Sequence, residues 1–245
     1  MMFKDLLKLE RFPTGWCPGC GLGQIMIQLA RVMDELGLDY TNCTVISGVG
    51  CTGRLAGYMN VDGIYTLHGR TLPVAEAVKL VNPSLKVIVV SGDGDLASIG
   101  GNHLLHAARR NPDLTVLCNN NQVYALTGGQ AGPTTPRDTT TVSSPAGAPY
   151  DAVNLQNLMK AGAKYFYAKT TVYHQVHFRN CIKEAIAWPG FAFVDITCQC
   201  IENNGRRLGF NSAYEMLQHF RRTYKRAPEG AETLGPDEIG IVRQG

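Results

Sequence analysis

Two runs, LKVIVVSG at residues 85–92 and LTVLCNN at 114–120, constrain the fold of this chain most. Neither alternates apolar with polar residues. A strand with one wet face alternates, so a strand that does not is covered on both faces. That requires helices between the strands, and the chain supplies them. GQIMIQLARVMDELG places Ile25, Met26, Leu29, Met33 and Leu36 at helical spacing and stops at Gly37. LPVAEAVKLVNP reads as a helix stopped before Pro83, and SIGGNHLLHAARRNP as one ending at Pro112. CTVISG is a short strand; later NLQNLMKAGA, KYFYAKT, YHQVHFRNCIKEAIAWPG and FAFVDIT read as helix, strand, helix, strand. The expected class is α/β, with a mainly parallel sheet and helices on both faces. Residues 1–225 are expected to form a single domain. The polar, turn-rich segment 226–245 is expected to lie over the surface or on a partner. Residues 127–150 are poor in bulky apolar groups and rich in Gly, Pro, Thr and Ser; a loop of this length inside a domain is usually functional.

Several function classes are disfavoured. A net charge of +3, with no long block of Lys and Arg, gives no footprint for nucleic acid. No run reaches the roughly 18 apolar residues of a membrane helix, and the N-terminal residues lack the apolar core of a secretion signal. The expected location is the cytoplasm. There, eight cysteines are too many to read as structural disulfides, and a close pair points to a metal or redox site. Cys43, Cys118 and Cys181 lie in apolar strand or helix patterns and read as small buried hydrophobes.

The unusual residues cluster where such folds bind ligands, beyond the carboxyl ends of strands. SGVGCTGR, SGDGD and CNNNQVYALTGGQ each follow a strand directly. Asp93 lies between Gly92 and Gly94, which let the backbone approach a ligand, and the next helix offers its N-terminus to an anion. Asn119, Asn120 and Asn121 end the next strand, so carboxylate and amide oxygens meet at one edge. Hard oxygens beside a phosphate suit magnesium. The plainer reading is a helix cap and a turn. The cysteines of WCPGCG (Cys17, Cys20), Cys51 and one of Cys198 or Cys200 make a set of four thiolates. Such a set holds either zinc or an iron–sulfur cluster, and spacing does not decide between them. On composition alone zinc is the expectation.

Taken together, WCPGCG, GVGCTGR, HGRTLPVAEAVKL, GDGD with GGNHLLHAARRN, NNNQVYALTGGQAGPTTP and VDITCQC resemble the β subunit of the 2-oxoacid:ferredoxin oxidoreductases, over roughly residues 13–209. The resemblance implies a thiamine-diphosphate-binding fold. It implies magnesium held by Asp93, Asn121 and the Val123 carbonyl, with Cys51, Gly92, Gly94, Asp95 and Tyr124 around the cofactor. It implies a [4Fe–4S] cluster on Cys17, Cys20, Cys51 and Cys200, with Cys198 as the alternative fourth ligand. His68 is placed near the cofactor, Leu126 against the acyl pocket, and Arg54 where it would clamp a second substrate carboxylate, as in 2-oxoglutarate, or else bind a phosphate or the partner. The implied reaction is oxidative decarboxylation of a 2-oxoacid with coenzyme A to an acyl-CoA and carbon dioxide, the electrons leaving through the cluster to ferredoxin. The implied partners are an α subunit, which carries the glutamate that activates the thiamine pyrimidine, and a ferredoxin or ferredoxin-type small subunit. Pyruvate or a branched-chain 2-oxoacid is the rival substrate. A non-oxidative thiamine decarboxylase or synthase, and a zinc-stabilised binding protein, are the rivals of another class. Two departures stand out: Ala125 in YALTGG replaces a usual glycine, and CIENNG replaces a usual Cys-Pro-Thr.

Overall fold

The computed structural model describes residues 2–245. Helical turns at Phe3–Leu6 and Leu9–Arg11 lead through the first cysteine loop to α1 (Leu22–Glu35). There follow β1 (Cys43–Ser47), a helical turn over Thr52–Tyr58, β2 (Asp62–Tyr65), α2 (Thr71–Val81), β3 (Lys86–Gly92), a π turn over Asp95–Ile99 and α3 (Gly101–Arg110). Next are β4 (Leu114–Asn120), a small hairpin of β5 (Val123–Tyr124) and β6 (Gln130–Ala131), α4 (Leu155–Met159), β7 (Tyr165–Thr171), α5 (Gln175–Ala187) and β8 (Phe191–Thr197). A second π turn over Ile201–Gly205 precedes α6 (Ala213–Thr223), β9 (Lys225–Arg226) and β10 (Glu238–Gln244).

Eight strands form one sheet in the order β2-β1-β3-β4-β8-β7-β10-β9. All pairings in it are parallel except that of β10 with β7. The missing alternation in β4 has the expected cause. Val116 and Cys118 belong to a core with Leu104 and Ala107 of α3, whereas Leu117 between them belongs to a core with Ile25 and Leu29 of α1. Each central strand thus buries both faces, and its carboxyl end is left as the place where polar groups collect. Asn111 ends α3 in the left-handed conformation (φ 53°), and its side-chain oxygen accepts the Phe191 N–H at 2.8 Å. One residue therefore stops a helix and sets the start of β8.

The structure departs from the sequence expectation at the rim. The helix expected from Ser98 begins earlier, in the π turn that carries Asp95. The tail expected to lie over the surface instead returns to the sheet as β10, with Ile239 and Val242 buried. Three apolar residues, Ile239, Ile241 and Val242, interrupted by Gly240 at the end of a polar segment are too few to register as a strand pattern. β2 was missed for a similar reason: as an edge strand it is largely exposed and buries no apolar face. Cys43, Cys118 and Cys181 are buried as expected.

Phe193, at the centre of β8, is fully buried and stacked on Tyr167 at 6.2 Å between ring centroids. Phe193→Ala is expected to cost about 3–5 kcal/mol through lost burial and an unfilled cavity, read as a lowered denaturant midpoint. A loss below about 1 kcal/mol would contradict this account of the core.

Candidate functional site

Two adjoining cavities open at the carboxyl edge. The first, about 120 Å³, is lined by Val49 to Thr52, His68, Gly92 to Asp95, Asn121 and Val123 to Thr127. Asp93 is 2% exposed at its floor and has no cationic partner. One of its oxygens accepts the hydroxyl of Thr134, which reaches in from the 127–150 loop. Burial pushes its pKa up to about 6, the Thr134 hydroxyl and the Gly94 N–H pull it down, and nearby Asp195 adds to the rise. Gly94 has no room for a side chain, because the Tyr124 ring lies where a Cβ would project. Asn121 turns its amide oxygen inward, accepting the Val123 N–H at 3.2 Å. Gln122, between them, takes the left-handed conformation (φ 64°), and the Thr135 hydroxyl bonds its carbonyl. A costly backbone state held by a side chain from another loop keeps Asn121 and Val123 on one wall. A buried carboxylate, an amide oxygen and a backbone carbonyl beside a helix N-terminus fit magnesium and a diphosphate.

Asp95 plays another part. It accepts the N–H of Gly69 at 2.8 Å, that of Val49 at 3.4 Å, the Ser91 hydroxyl at 2.5 Å and Nδ1 of His68. Nδ1 of His68 is thereby held against Asp95, which leaves Nε2 as the ring nitrogen without a bond to this carboxyl.

The second cavity, about 150 Å³, is lined by Cys17, Cys20, Cys51, Cys198 and Cys200 together with Gly15, Trp16, Arg54, Asn119 and Glu202, among others. Topology brings these thiols together. Cys17 and Cys20 come from the loop before α1, Cys51 follows β1, and Cys198 and Cys200 follow β8. Trp16 ties two of these loops by donating Nε1–H to the Cys51 carbonyl at 2.8 Å. Burial raises Cys20 to about 12, and Cys200, Cys51 and Cys17 add to the rise. Burial also raises Cys51 and Cys200, each of which feels Cys17 in the same direction. Thiols that oppose one another's ionisation form a set that a cationic centre would satisfy. Cys198 differs: it is 4% exposed and packs into the α1 core, against Gly21. Among the described residues no group of three or more His, Cys, Asp or Glu is set to hold a metal ion; the five cysteines line one cavity. The buried Oδ1 of Asn119 faces this edge without a donor, while its Nδ2 bonds Thr52 at 2.9 Å.

Cys51, Asn121, Ala125 and Leu126 line both cavities and so form the wall between them. Arg54 sits on the cysteine side and donates to the Gly15 carbonyl at 3.0 Å. Sequence reasoning missed Thr134, Thr135, Asn203 and Asn204. Asn204 Nδ2 bonds the Asn121 carbonyl at 3.0 Å, and Asn203 Nδ2 bonds the Ala125 carbonyl at 2.7 Å. The only signals were a Thr-Thr pair between prolines and an Asn-Asn-Gly after Cys200.

Residues 48–196, which carry this edge of the parallel sheet, match the family model of the thiamine pyrophosphate enzyme C-terminal TPP binding domain. The 2-oxoglutarate synthase subunit KorB of Methanothermobacter thermautotrophicus is 40% identical over 95% of this chain and 81% of its own. The β subunit of 2-oxoacid:ferredoxin oxidoreductase 2 of Aeropyrum pernix is 43% identical over 76% of this chain and 60% of its own. The structure of 2-oxoglutarate:ferredoxin oxidoreductase from Magnetococcus marinus, solved with 2-oxoglutarate, coenzyme A and succinyl-CoA bound, covers 99% of this chain and 84% of that chain at a TM-score of 0.87 and 33% identity. The chain belongs to the β subunits of the 2-oxoacid:ferredoxin oxidoreductases.

Because burial favours the protonated form of Asp93, the folded, metal-free chain holds that proton more tightly than the unfolded one. Its contribution is most favourable below about pH 4 and is lost as pH rises through about 6. Asp93→Asn is expected to raise the stability of the metal-free chain at pH 7, by at most about 3 kcal/mol, and to flatten its pH dependence between about 4 and 6. Denaturant titrations across that range check this; an unchanged slope would refute it.

Proposed function

We propose that this chain is the β subunit of an enzyme that oxidatively decarboxylates 2-oxoglutarate with coenzyme A to an acyl-CoA and carbon dioxide, delivering two electrons singly to ferredoxin through a [4Fe–4S] cluster. The observation that carries this reading is the shared wall. A diphosphate cradle and a ring of thiols meet at Cys51, Asn121, Ala125 and Leu126, the arrangement that short-range electron transfer from cofactor to cluster needs.

Asp93, Asn121 and the Val123 carbonyl hold magnesium in this reading, and Gly92 and Gly94 leave room for the diphosphate. Thiamine diphosphate, when bound, supplies the electron sink for decarboxylation. Cys17, Cys20, Cys51 and Cys200 hold the cluster. Cys200 is preferred to Cys198 because it is only half-buried at the cavity, whereas Cys198 is packed in the core. A ring of sulfurs around a space suits a polynuclear centre better than one zinc, whose sulfurs must lie about 2.3 Å from it. His68, oriented by Asp95, offers Nε2 as a hydrogen-bonding group toward the reacting end. Leu126 stands against the acyl chain. Arg54 commits an N–H to Gly15 and retains others for a second carboxylate. The pyrimidine-activating glutamate is assigned to an α subunit. In support, Tyr65, Leu67, Ile99 and Leu126 beside the cradle are all more than half exposed, a rim that a partner would cover. Eight free cysteines support a reducing, cytoplasmic setting, and no helix among the described residues is long and apolar enough to cross a membrane.

The test is anaerobic co-expression with the α partner, followed by iron and thiamine analysis and dye reduction with a panel of 2-oxoacids and coenzyme A. The expected result is bound iron and thiamine, and the highest kcat/KM with 2-oxoglutarate. Cys51→Ala is expected to abolish iron binding and Cys198→Ala to retain it. Arg54→Ala is expected to raise KM for 2-oxoglutarate roughly tenfold or more, the loss of one charge-assisted contact. A preference for pyruvate or a branched acid would refute the substrate. Zinc without iron would refute the cluster.

A further inference from the structure

The segment that follows Cys200 touches both cavities at once. Asn203 and Asn204 lie in the π turn that follows Cys200, in which the N–H groups of Asn204 and Gly205 bond the Cys200 carbonyl, at 3.2 and 2.8 Å. The side chains of the same two asparagines reach the other way. Asn204 bonds the carbonyl of Asn121 and Asn203 the carbonyl of Ala125, at either end of the strip that lines the diphosphate cradle. Asn204 is 4% exposed, so its side chain has no solvent alternative to this bond. The Asn203 carbonyl lies where any Cβ on Gly129 would project, so the 121–131 hairpin closes onto the same turn.

We infer that Asn203 and Asn204 are positioning residues that couple the two centres, so that occupancy of the cysteine ring strengthens thiamine diphosphate binding and the reverse. The physical reason lies in the sulfur. A sulfur bound to a metal centre loses the rotational freedom of a free thiol, so loading the ring fixes Cys200 and with it the carbonyl that holds the N–H groups of Asn204 and Gly205. That fixes the turn, and the turn fixes the carbonyls of Asn121 and Ala125 through the two amides. The cradle is then already ordered when the diphosphate arrives, and the ordering cost is removed from its binding. Two hydrogen bonds of ordinary net strength correspond to about a tenfold coupling, which must be equal in both directions.

This inference rests on the cluster and thiamine assignments proposed above. The test uses the αβ complex, prepared anaerobically with its iron and again after oxidative chelation, and measures thiamine diphosphate binding in magnesium by ultrafiltration and fluorescence of the oxidised thiamine. Wild type is expected to bind the cofactor about tenfold more weakly once stripped of iron. The iron-loaded Asn203→Ala/Asn204→Ala complex is expected to bind it as weakly as stripped wild type, with no further change on stripping. A second readout, which a merely structural role would not move, is the rate of iron loss to a chelator: added thiamine diphosphate slows it in wild type and not in the variant. Equal affinity of loaded and stripped wild type overturns the inference without recourse to any variant. Full iron dependence retained in the variant overturns the role of the asparagines. A wild-type complex that carries no iron, or binds no thiamine diphosphate in either form, refutes the proposed function itself and the inference with it.

Discussion

Four donors converge on the buried carboxylate of Asp95, and the rest of the site hangs from that point. Val49 belongs to the loop after β1, His68 and Gly69 to the loop after β2, Ser91 to the end of β3, and Asp95 itself to the π turn leaving β3. A carboxylate accepting hydrogen bonds at this depth is worth more per bond than a neutral acceptor, and each donor would be stranded without it. One side chain therefore gathers three strand ends into a single rim. Cys51 stands two residues beyond Val49, and Asp93 two residues before Asp95. The positions of a sulfur and of the cradle carboxylate are thereby set from the same anchor.

The second organising feature is the division of labour between neighbouring acids. Asp93 is left with a hydroxyl partner and, among the described residues, no cation, and burial raises its pKa to about 6; Asp95 is surrounded by hydrogen-bond partners. Asp195, deeper in the sheet, is bonded by Tyr167 at 2.9 Å and by Asn120 at 2.9 Å. Of three buried carboxyls near one sheet edge, two are consumed by the scaffold and one is kept in reserve. That is the pattern expected where one group binds a ligand and the others hold its surroundings rigid.

The central strands, their parallel arrangement, the placement of the odd residues beyond their carboxyl ends and the family itself were legible because each depends on local pattern. Unalternating apolar runs such as VIVV can be buried in few ways, and GDGD beside NNNQ announces a turn and an oxygen-rich edge wherever the strands lie. The residues that bridge remote segments were not legible. Asn203 is an unremarkable polar residue until the fold sets it beside Ala125, 78 positions away in the chain. Thr134 is one threonine of many until its loop folds down over Asp93, 41 positions away. β10 escaped notice because only Ile239 and Val242 of its seven residues are buried, in a segment rich in polar and turn residues.

By itself the sequence determined most of the backbone segments that would be buried, where the chain would turn, and which oxygen- and sulfur-bearing side chains would gather near the strand ends, since propensity and periodicity act over a few residues. Tertiary structure alone decided which thiols share a cavity, which of Cys198 and Cys200 faces it more openly, and which aspartate stays unpaired. Those are questions of distance between segments remote in the chain, settled by how helices pack on the two faces of the sheet and therefore by the whole fold at once.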